Sequence, residues 1–426
     1  MASNGDWPEV LLQDVAEEVT VGFVGPMTAE YVDVGIPFLR SQNVDAFNIN
    51  TVDLKFINKA FHAKISKSRL RPGDVVIVRT GKPGTAAVVP EWLPDANCAD
   101  LVIVRPGGRL NPRFLAYFVN SVAKHHVYAH VVGAVQQHFN VGSAKEIVIP
   151  LPSMAEQEAI VRVLGVLDDK IELNRRMNQT LESLARAIFK SWFVDFDPVV
   201  AKAAGKKPLG MSAQTADLFP DRFQDSELGP IPKGWVAGSI ADIARYVNGR
   251  NFTKNASGAG RMVIRIAELN SGPGGSTVYN EVAADPENIA CPGDLLFAWS
   301  GSLDVYRWHG EEALVNQHIF KVVCETYPQW FVHHHLREAM PFFQGIAADK
   351  ATTMGHIKRE HLAQAELALP PMPVLQAADR IIGPLYGRIH RAERQCAALA
   401  ALRDALLPQL MSGELRVREI EQQSRR

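Results

Sequence analysis

The chain has 426 residues, a formal net charge of −1 and 47% hydrophobic residues, a size that allows two to four globular domains. No stretch approaches the roughly 18 consecutive apolar residues of a membrane-spanning helix, and the first residues lack the order of a secretion signal, so we expect a cytoplasmic protein without membrane association. Four scattered cysteines without a CxxC pair argue against a disulfide framework and favour a reducing compartment.

The first module, residues 1–150, has the pattern of a β-rich domain with some helix. Its apolar runs "DVVIVRT" and "LVIVRP" are typical of strands, and a Pro-Gly turn precedes the first. The segment "NPRFLAYFVNSV" predicts a helix. Its start resembles the Asn/Asp-Pro-Pro-Tyr/Phe loop of amino-methyltransferases; alternatively, Asn111 caps the helix and Pro112 is its first residue. The later segment "YPQW" keeps the proline and an aromatic residue but loses the amide, which favours the helix start.

A long helix follows in residues 151–195. Ser153 and Glu156 form a capping-box pattern, which predicts a helix from Ser153 to about Phe193, roughly 60 Å long. Spacings that alternate four and three predict a heptad seam. The seam consists of Ile160, Leu164, Leu167, Ile171, Asn174, Asn178, Leu181, Ala185, Ile188 and Trp192. Its two asparagines cost stability but can fix the register of a partner helix.

A Pro-, Gly- and Ser-rich segment, residues 196–230, reads as an irregular connector, and a second β-rich module follows in residues 231–370. A second seam helix lies in residues 371–415, before a tail at 416–426. We expect it to span about 378–411, with a kink or late start at Gly383-Pro384 and a stop at Met411-Ser412-Gly413. Its seam is Ala378, Ile382, Leu385, Ile389, Ala392, Cys396, Leu399, Leu406 and Leu410, broken at Arg403.

The two halves are copies of one unit. "RPGDVVIVRTG" matches "CPGDLLFAWSG" 220 residues later, and "WPEVLLQDVAEEV" matches "WVAGSIADIARYV". His138 pairs with His356, and Arg40 before "SQNV" pairs with Arg265 before "IAEL". Because several matches keep the same order, chance is a poor explanation, and the chain is a globular module and a long helix, repeated once.

Basic residues cluster at equivalent places in both copies. Residues 55–82 hold eight Lys and Arg against one acid, Asp74, and residues 245–265 hold five with no acid between them. A solvated face explains one such cluster. Two at matching places raise the prospect of a phosphate-contacting surface, although the net charge gives no global sign of it.

Catalytic signatures are scarce. We find no GxxxxGK[ST] loop, no HExxH or cysteine cluster at metal spacing, no GxSxG elbow, no convincing nuclease set and no Gly-rich loop that would hold S-adenosylmethionine. The histidines at 125–126 and 333–335 could suggest a metal. Consecutive histidines on a helix point in different directions, so surface or satisfied side chains are the better interpretation, and we expect no metal site.

Three segments make the chain resemble the specificity subunit of type I DNA restriction–modification systems over nearly its whole length. They are "IPLPSMAEQEAIVRVLGVLDDKIELNRRMNQTLESLARAIFKSWFVDFDPV", "LFPDRFQDSELGPIPKGW" and "LRDALLPQLMSGEL". The second copy departs from the pattern with "PPMPVLQ" in place of "PLPSMAEQ", which puts its helix capping in doubt.

The resemblance implies an α+β fold with two mixed α/β target recognition domains in tandem, each followed by a long helix, and with the helices paired as an antiparallel coiled coil. Each domain would read one half of a bipartite double-stranded DNA site. The chain itself would have no catalytic centre and no cofactor. Two modification (methyltransferase) subunits using S-adenosylmethionine and motor-nuclease restriction subunits using ATP and Mg²⁺ would supply the chemistry. The alternative is a stand-alone methyltransferase or nuclease.

Candidate DNA contacts follow from chemistry and from the repeat, because Gln can pair with adenine and Arg or Lys with guanine or phosphate. One candidate loop follows the repeated strand in each copy, and a second lies near His138 and its counterpart His356. The candidates are Arg40, Arg79, Thr80, Lys82, Gln136, Gln137, His138, Arg265, Ser300, Ser302, Thr352, Thr353 and His356. The sequence leaves the recognised bases and the spacer length open.

Overall fold

The computed structural model describes residues 7–122, 139–349 and 356–417. The chain forms two compact units, the first from Met1–Ile171 with Ala398–Arg426 and the second from Glu172–Ala397. The helices, in chain order, are α1 Leu12–Val15, α2 Lys59–Lys64, α3 Pro112–Asn120, α4 Val141–Lys145, α5 Met154–Phe193, α6 Asp197–Ala203, α7 Ala213–Ala216, α8 Ile240–Ile243, α9 Ile266–Ser271, α10 Gln329–Glu338, α11 Met340–Asp349, α12 Arg359–Gln364 and α13 Met372–Ser412.

The first unit contains the strands up to residue 150. They are β1 Glu9–Leu11, β2 Glu18–Val21, β3 Tyr31–Val32, β4 Ile36–Leu39, β5 Val44–Asp45, β6 Asn48–Ile49, β7 Lys55–Ile57, β8 Arg69–Leu70, β9 Val75–Val78, β10 Ala86–Val88, β11 Ala96–Cys98, β12 Leu101–Arg105 and β13 Val148–Pro150. They form a four-stranded sheet, β10-β9-β12-β2, a five-stranded sheet, β3-β7-β4-β11-β8, and the pairs β1-β13 and β5-β6. Val75–Val78 is buried throughout, as expected of a strand covered on both faces.

The second unit contains β14 Phe223–Gln224, β15 Ile231–Pro232, β16 Val236–Ser239, β17 Arg245–Asn248, β18 Arg261–Ile264, β19 Tyr279–Asn280, β20 Ile289–Ala290, β21 Leu295–Ala298, β22 Asp304–Arg307, β23 Ala313–Val315, β24 Ile319–Val323 and β25 Glu366–Leu369. Its sheets are β17-β24-β21-β22 and β19-β18-β23-β20, with the pairs β16-β25 and β14-β15.

The units repeat one topology. In each, an antiparallel four-stranded sheet is built on the repeated strand, β9 or β21, and a strand near the start of the module pairs with one at its end. In each, the other sheet contains one parallel pair, β4 with β11 or β18 with β23. The α+β tandem architecture is therefore confirmed.

Helix α5 starts where the sequence predicts. Ser153 and Glu156 form the reciprocal cap, since the Glu156 N–H donates to Ser153 Oγ and the Ser153 N–H to Glu156 Oε2, both at 3.3 Å. The helix runs to Phe193. Its cap satisfies backbone N–H groups that a helix start otherwise leaves without partners.

Helix α13 differs from the expectation at its beginning. It begins at Met372, before Gly383-Pro384, and continues through both residues to Ser412. The predicted late start is wrong. The helix also continues without a break through Gly383-Pro384, where a kink was the other expectation. Val374 and Leu375 are buried, and packing of this first turn outweighs the local cost of the proline. Gly413, with φ +72°, ends the helix as predicted.

Both units contain parts of α5 and α13, and contacts within each unit show that these parts run antiparallel. In the first, Glu156 pairs with Arg416 and Asp168 with Arg403. In the second, contacts descend along α13 as they ascend along α5, from Asn174 with Gln395 to Asn178 with the Ile389 carbonyl. The predicted antiparallel pairing is confirmed.

The predicted seam residues face the interior of their units. Buried members are Ile160, Leu164, Ile171, Asn174, Asn178, Trp192, Ile382, Ile389 and Leu410, and half-buried members are Leu167, Leu181, Ile188, Leu385, Leu399 and Leu406. The break at Arg403 has a physical reason. Its guanidinium lies 2.8 Å from Asp168 and 4.4 Å from the centre of the Phe47 ring, so a charged residue is accommodated beside the apolar seam.

Of the two interpretations of residues 333–335, surface or satisfied histidines, the surface one is wrong, and the satisfied one holds for His333 and His334. All three side chains are buried on α10, where the Tyr386 hydroxyl contacts His333 Nδ1 at 2.7 Å and His334 Nε2 at 3.1 Å. The alternative start of α3 is settled in favour of a cap, because Asn111 Oδ1 accepts from the N–H groups of Arg113 and Phe114. Within the described residues, no helix is both long and apolar enough to cross a membrane.

Candidate nucleic-acid interface

The first candidate loop is a β-hairpin loop in both units. It joins β9 to β10 at residues 79–85 and β21 to β22 at residues 299–303. Gly81 and Gly301 occupy matching positions with φ of +88° and +68°. A side chain is strained in this left-handed conformation, so glycine lets the chain turn sharply at the end of a buried strand. The repeated sequence thus codes for a repeated loop.

The second candidate loop ends beside the first. The Phe139 N–H donates to the Arg79 carbonyl at 3.0 Å, and the Ile357 N–H donates to the Trp299 carbonyl at the same distance. His356 forms an antiparallel bridge with Ser300. The two hydrogen bonds are equivalent, so the described end of the second loop lies beside the first candidate loop in each unit.

The backbones of Arg40 and Arg265 lie near the edge formed by these loops in their units. Leu39, just before Arg40, accepts a hydrogen bond from the Ala99 N–H at 2.9 Å. Ile264, just before Arg265, accepts one from Asn316 at 3.1 Å. The following segments carry Asp100 and His318, which contact the first candidate loop in their respective units.

Both arginines are held by acids. Arg40 Nη2 pairs with Asp53 at 2.9 Å, and hydrogen bonds from Lys55 and Arg40 hold the pKa of Asp53 well below its usual range. Arg265 Nη2 pairs with Glu268 at 2.6 Å. Burial acts to raise the pKa of Glu268, but hydrogen bonds from Arg265 and Thr277 outweigh it and lower the pKa. Each guanidinium therefore has a fixed position and is partly neutralised.

The remaining candidates differ in access. Lys82 and Ser302 are exposed, Thr80 is half-buried, and Ser300 is buried at 7% exposure. Arg79 is 17% exposed, pairs with Asp100 and donates from Nε to the Phe139 carbonyl at 3.1 Å. Gln136, Gln137, His138, Thr352 and Thr353 lie outside the described residues. As DNA contacts, all the candidates stay predictions.

The first basic cluster keeps several exposed cations without acidic partners. Lys59 and Lys64 lie on α2, and Lys67 follows it. These side chains, with Arg71 and Lys82, are exposed and pair with no acid among the described residues. Exposed unpaired cations are suited to phosphate contact, because phosphate does not have to displace a carboxylate.

Four of the five cations of the second basic cluster pair with acids, which corrects the local charge count, whereas Lys254 is exposed and has no salt bridge among the described residues. Arg245 pairs with Glu287 and Glu325 at 2.7 and 3.2 Å. Arg250 pairs with Asp285 at 2.7 Å. Arg261 lies 3.6 Å from Glu312. Most of these acids are tens of residues away along the chain, so a count of neighbouring charges misses them.

Three residues at the edge of the second unit escaped the sequence analysis. Trp299 stands where the first unit has Arg79, and its ring packs 5.4 Å from that of His318. Gln317 and His318 are exposed just before β24. The repeat alignment could have identified them, because Trp299 directly follows the repeated strand and Gln317 and His318 directly precede its neighbour β24. An aromatic ring and polar side chains here give the second unit a different surface from the first.

Comparisons with known proteins agree on one family. Residues 4–183 match the family described as the type I restriction modification DNA specificity domain. The MjaIX type I restriction enzyme specificity subunit of Methanocaldococcus jannaschii is 25% identical, over 97% of this chain and 95% of its own. The HindI type I restriction enzyme specificity subunit of Haemophilus influenzae is 22% identical, over 96% of this chain and 100% of its own.

A solved structure shares the fold. The crystal structure of a type I restriction–modification system S subunit from M. genitalium superposes with a TM-score of 0.51 at 12% sequence identity. It covers 96% of this chain and 97% of its own.

Proposed function

We propose that each unit of this chain reads one half of a bipartite double-stranded DNA site. The chain belongs to the family of type I restriction–modification specificity subunits. The chain is a DNA sequence-specificity subunit. The observation that carries the proposal is the repeated edge, at which a glycine hairpin loop and the end of a second loop meet once in each unit. We assign residues 1–150 and 231–370 to the two recognition domains.

The two edges have different chemistry, and this difference supports a site with unlike halves. The first presents Lys82, beside an Arg79 that is held by Asp100, with unpaired lysines elsewhere in the unit. The second presents Trp299, Ser302 and His318. A cation can pair with guanine or phosphate, whereas hydroxyl and imidazole groups have other partners on base edges. Unlike edges on one repeated scaffold would read an asymmetric sequence.

The catalytic chemistry would come from partners. We propose that the chain has no catalytic centre of its own and that methyltransferase subunits dock on it, bringing S-adenosylmethionine to adenine in the recognised site. Motor-nuclease subunits using ATP and Mg²⁺ would complete the restriction complex. The relatives' names as restriction-enzyme specificity subunits support this division of labour. The four free cysteines fit action in the reducing cytoplasm.

Exchange of residues 1–150 for the matching module of a relative tests the proposal. The measurement is methylation of a library of DNA sites by the complex reconstituted with its modification subunits. One half of the recognised sequence should change, while the other half and the spacer stay. The reciprocal exchange of 231–370 is the matched control and should change only the other half. A simultaneous change in both halves would rule out independent reading.

The alternative, a stand-alone DNA-modifying enzyme, has a direct test. The purified chain is incubated with labelled S-adenosylmethionine and DNA, with and without modification subunits. We expect label in DNA only when those subunits are present. Transfer by the chain alone would replace the proposed role with an enzymatic one.

A further inference from the structure

Two histidines and a glutamate of the second unit converge away from the candidate DNA edge. His390 and Glu393 lie on α13, and His309 lies in the loop after β22. One ligand atom from each falls within 4.8 Å of the others. Residues three apart on a helix share a face, so the helix presents His390 and Glu393 together. All three side chains are half-buried.

The loop that carries His309 is fixed by backbone contacts. The Gly293 N–H donates to the Trp308 carbonyl at 2.6 Å, and the Trp308 N–H donates to the Asp294 carbonyl at 2.8 Å. Gly293 also leaves room for His390, because a Cβ at this position would lie 3.2 Å from the imidazole. The backbone thus holds His309 over the helix without crowding the second histidine.

Two polar atoms of the cluster are buried without a hydrogen-bond partner. They are His309 Nδ1 and Glu393 Oε2. His309 Nε2 lies 2.8 Å from Oε2, yet the carboxylate oxygen receives no hydrogen bond in acceptable geometry. The ring nitrogen and the carboxylate oxygen are therefore close without the N–H pointing along the line between them. A metal ion bound by both atoms would account for this arrangement, because their lone pairs would then aim at a point beside that line.

The other carboxylate oxygen has a separate partner. Arg307 Nη2 lies 3.4 Å from Glu393 Oε1 and 2.5 Å from Glu182 Oε1. Arg307 thus orients the carboxylate and leaves Oε2 to the histidines, while Glu182 offsets the charge that would repel a cation. A partner that orients a ligating carboxylate is a usual feature of metal sites.

We propose that His309, His390 and Glu393 bind a divalent transition-metal ion of the Zn²⁺ class, with water completing its coordination. Two imidazoles and one carboxylate suit such an ion, whose bonds to these atoms are about 2.0–2.2 Å long. Around a tetrahedral ion these ligand atoms would lie about 3.4 Å apart. Side-chain rotations that bring the atoms together by an ångström or somewhat more reach this from 4.8 Å. The ion would clamp the loop after β22 to α13.

Cobalt binding tests the site, because Co²⁺ reports tetrahedral coordination by visible absorption. The full chain, prepared without a histidine tag and treated with chelator, is titrated with Co²⁺ and then with Zn²⁺ as competitor. We expect one equivalent of Co²⁺ to bind, Zn²⁺ to displace it, and Zn²⁺ to raise the melting temperature. His390→Ala and Glu393→Gln should each weaken binding roughly tenfold or more.

His318→Ala is the matched control, since it removes an exposed histidine of the same unit and should leave metal affinity unchanged. If His390→Ala fails to fold by circular dichroism, the near-isosteric Glu393→Gln decides. Failure of the wild-type chain to bind one equivalent, or wild-type affinity in a folded ligand variant, would overturn the proposal.

Discussion

Lys82 is the residue best placed to separate phosphate contact from base reading. Its side chain is exposed on the first hairpin loop and pairs with no acid among the described residues. If it touches phosphate only, Lys82→Ala should weaken binding about equally for all sequences and lower the slope of log affinity against log salt by about one. If it reads guanine, the loss should be about 1–3 kcal/mol and confined to sites with that base.

Binding is measured by titration of the assembled complex with DNA at several salt concentrations. Arg250→Ala is the control, because this exposed arginine already pairs with Asp285 and should change the slope less. Unchanged affinity and slope in Lys82→Ala would mean that the loop faces away from DNA.

His335 should make the second unit sensitive to acid. Burial, with a smaller contribution from His334, lowers the pKa of His335 to about 3 from 6.5. Its Nε2 has no partner, and its ring packs against Phe331 at 4.4 Å. Between the two pKa values the unfolded chain binds the extra proton, so the stability present above pH 6.5 falls as the pH drops through this window. At pH 5 the cost is about 2 kcal/mol.

His335→Leu should therefore reduce, by about 2 kcal/mol, the loss in free energy of unfolding between pH 7.5 and pH 5. Urea unfolding at the two pH values measures it. His318→Leu replaces an exposed histidine and should keep the wild-type dependence. A variant at position 335 with the wild-type pH dependence would contradict this account.

At the residue scale, the sequence predicted local chemistry and missed long-range partners. The cap at Asn111 and the glycine stop at Gly413 depend on near neighbours, so both could be predicted. The partners of Arg245 and the burial of His335 depend on segments far away along the chain. Local charge and polarity could therefore place a basic cluster but could not show that most cations of the second cluster pair with acids while most of the first do not.

At the scale of elements, the period of α5 carried most of the information. Seam residues spaced alternately four and three positions apart identify the buried face of the helix. The sequence predicted both ends of the helix to within a residue. Gly383 and Pro384 led to a wrong start for α13, because packing of the turns before a local helix breaker outweighs its cost. Burial against distant segments decides whether such a helix continues, and a single sequence does not show that burial.

The seam asparagines differ in how well they are satisfied, and their substitution should show it. Asn174 Nδ2 donates to Gln395 at 2.9 Å. Asn178 Nδ2 reaches the Ile389 carbonyl only at 3.4 Å, and its Oδ1 is buried without a partner. Removing an unsatisfied buried group gains stability, so Asn178→Leu should raise the free energy of unfolding by about 1–2 kcal/mol.

Asn174→Leu is the matched comparison in the same helix. It loses a good hydrogen bond, so its gain should be smaller than that of Asn178→Leu. Urea denaturation of the full chain measures both. A loss of stability in Asn178→Leu would indicate that the amide holds the register of the pair rather than merely weakening it.

At the scale of the whole molecule, the repeat was the most informative feature of the sequence. Matching segments 220 residues apart predicted two copies, and each unit has the same antiparallel sheet and the same parallel pair. The division into units was less accessible. Each combines one module with parts of both helices, and a pattern read along the chain assigns each helix whole to the module before it.

The division between the units also suggests where to test whether the helices set the spacer. One boundary falls after Ile171 in α5 and the other after Ala397 in α13. Seven residues inserted at both places preserve the heptad and separate none of the contacts within either unit, such as Asp168 with Arg403 or Asn174 with Gln395. Each helix lengthens by about 10 Å at 1.5 Å per residue.

We expect the double insertion to move recognition to a longer spacer with unchanged half-sites. About 10 Å is close to three base pairs of B-DNA, since one turn of about 34 Å holds some 10 base pairs. A single insertion in α5 leaves its partner short and should mostly destroy assembly. The measurement is methylation, by the reconstituted complex, of DNAs whose spacer varies one base pair at a time. An unchanged optimum after the double insertion would show that the connector or the modules set the distance, because the longer helices would then have no effect on the spacer.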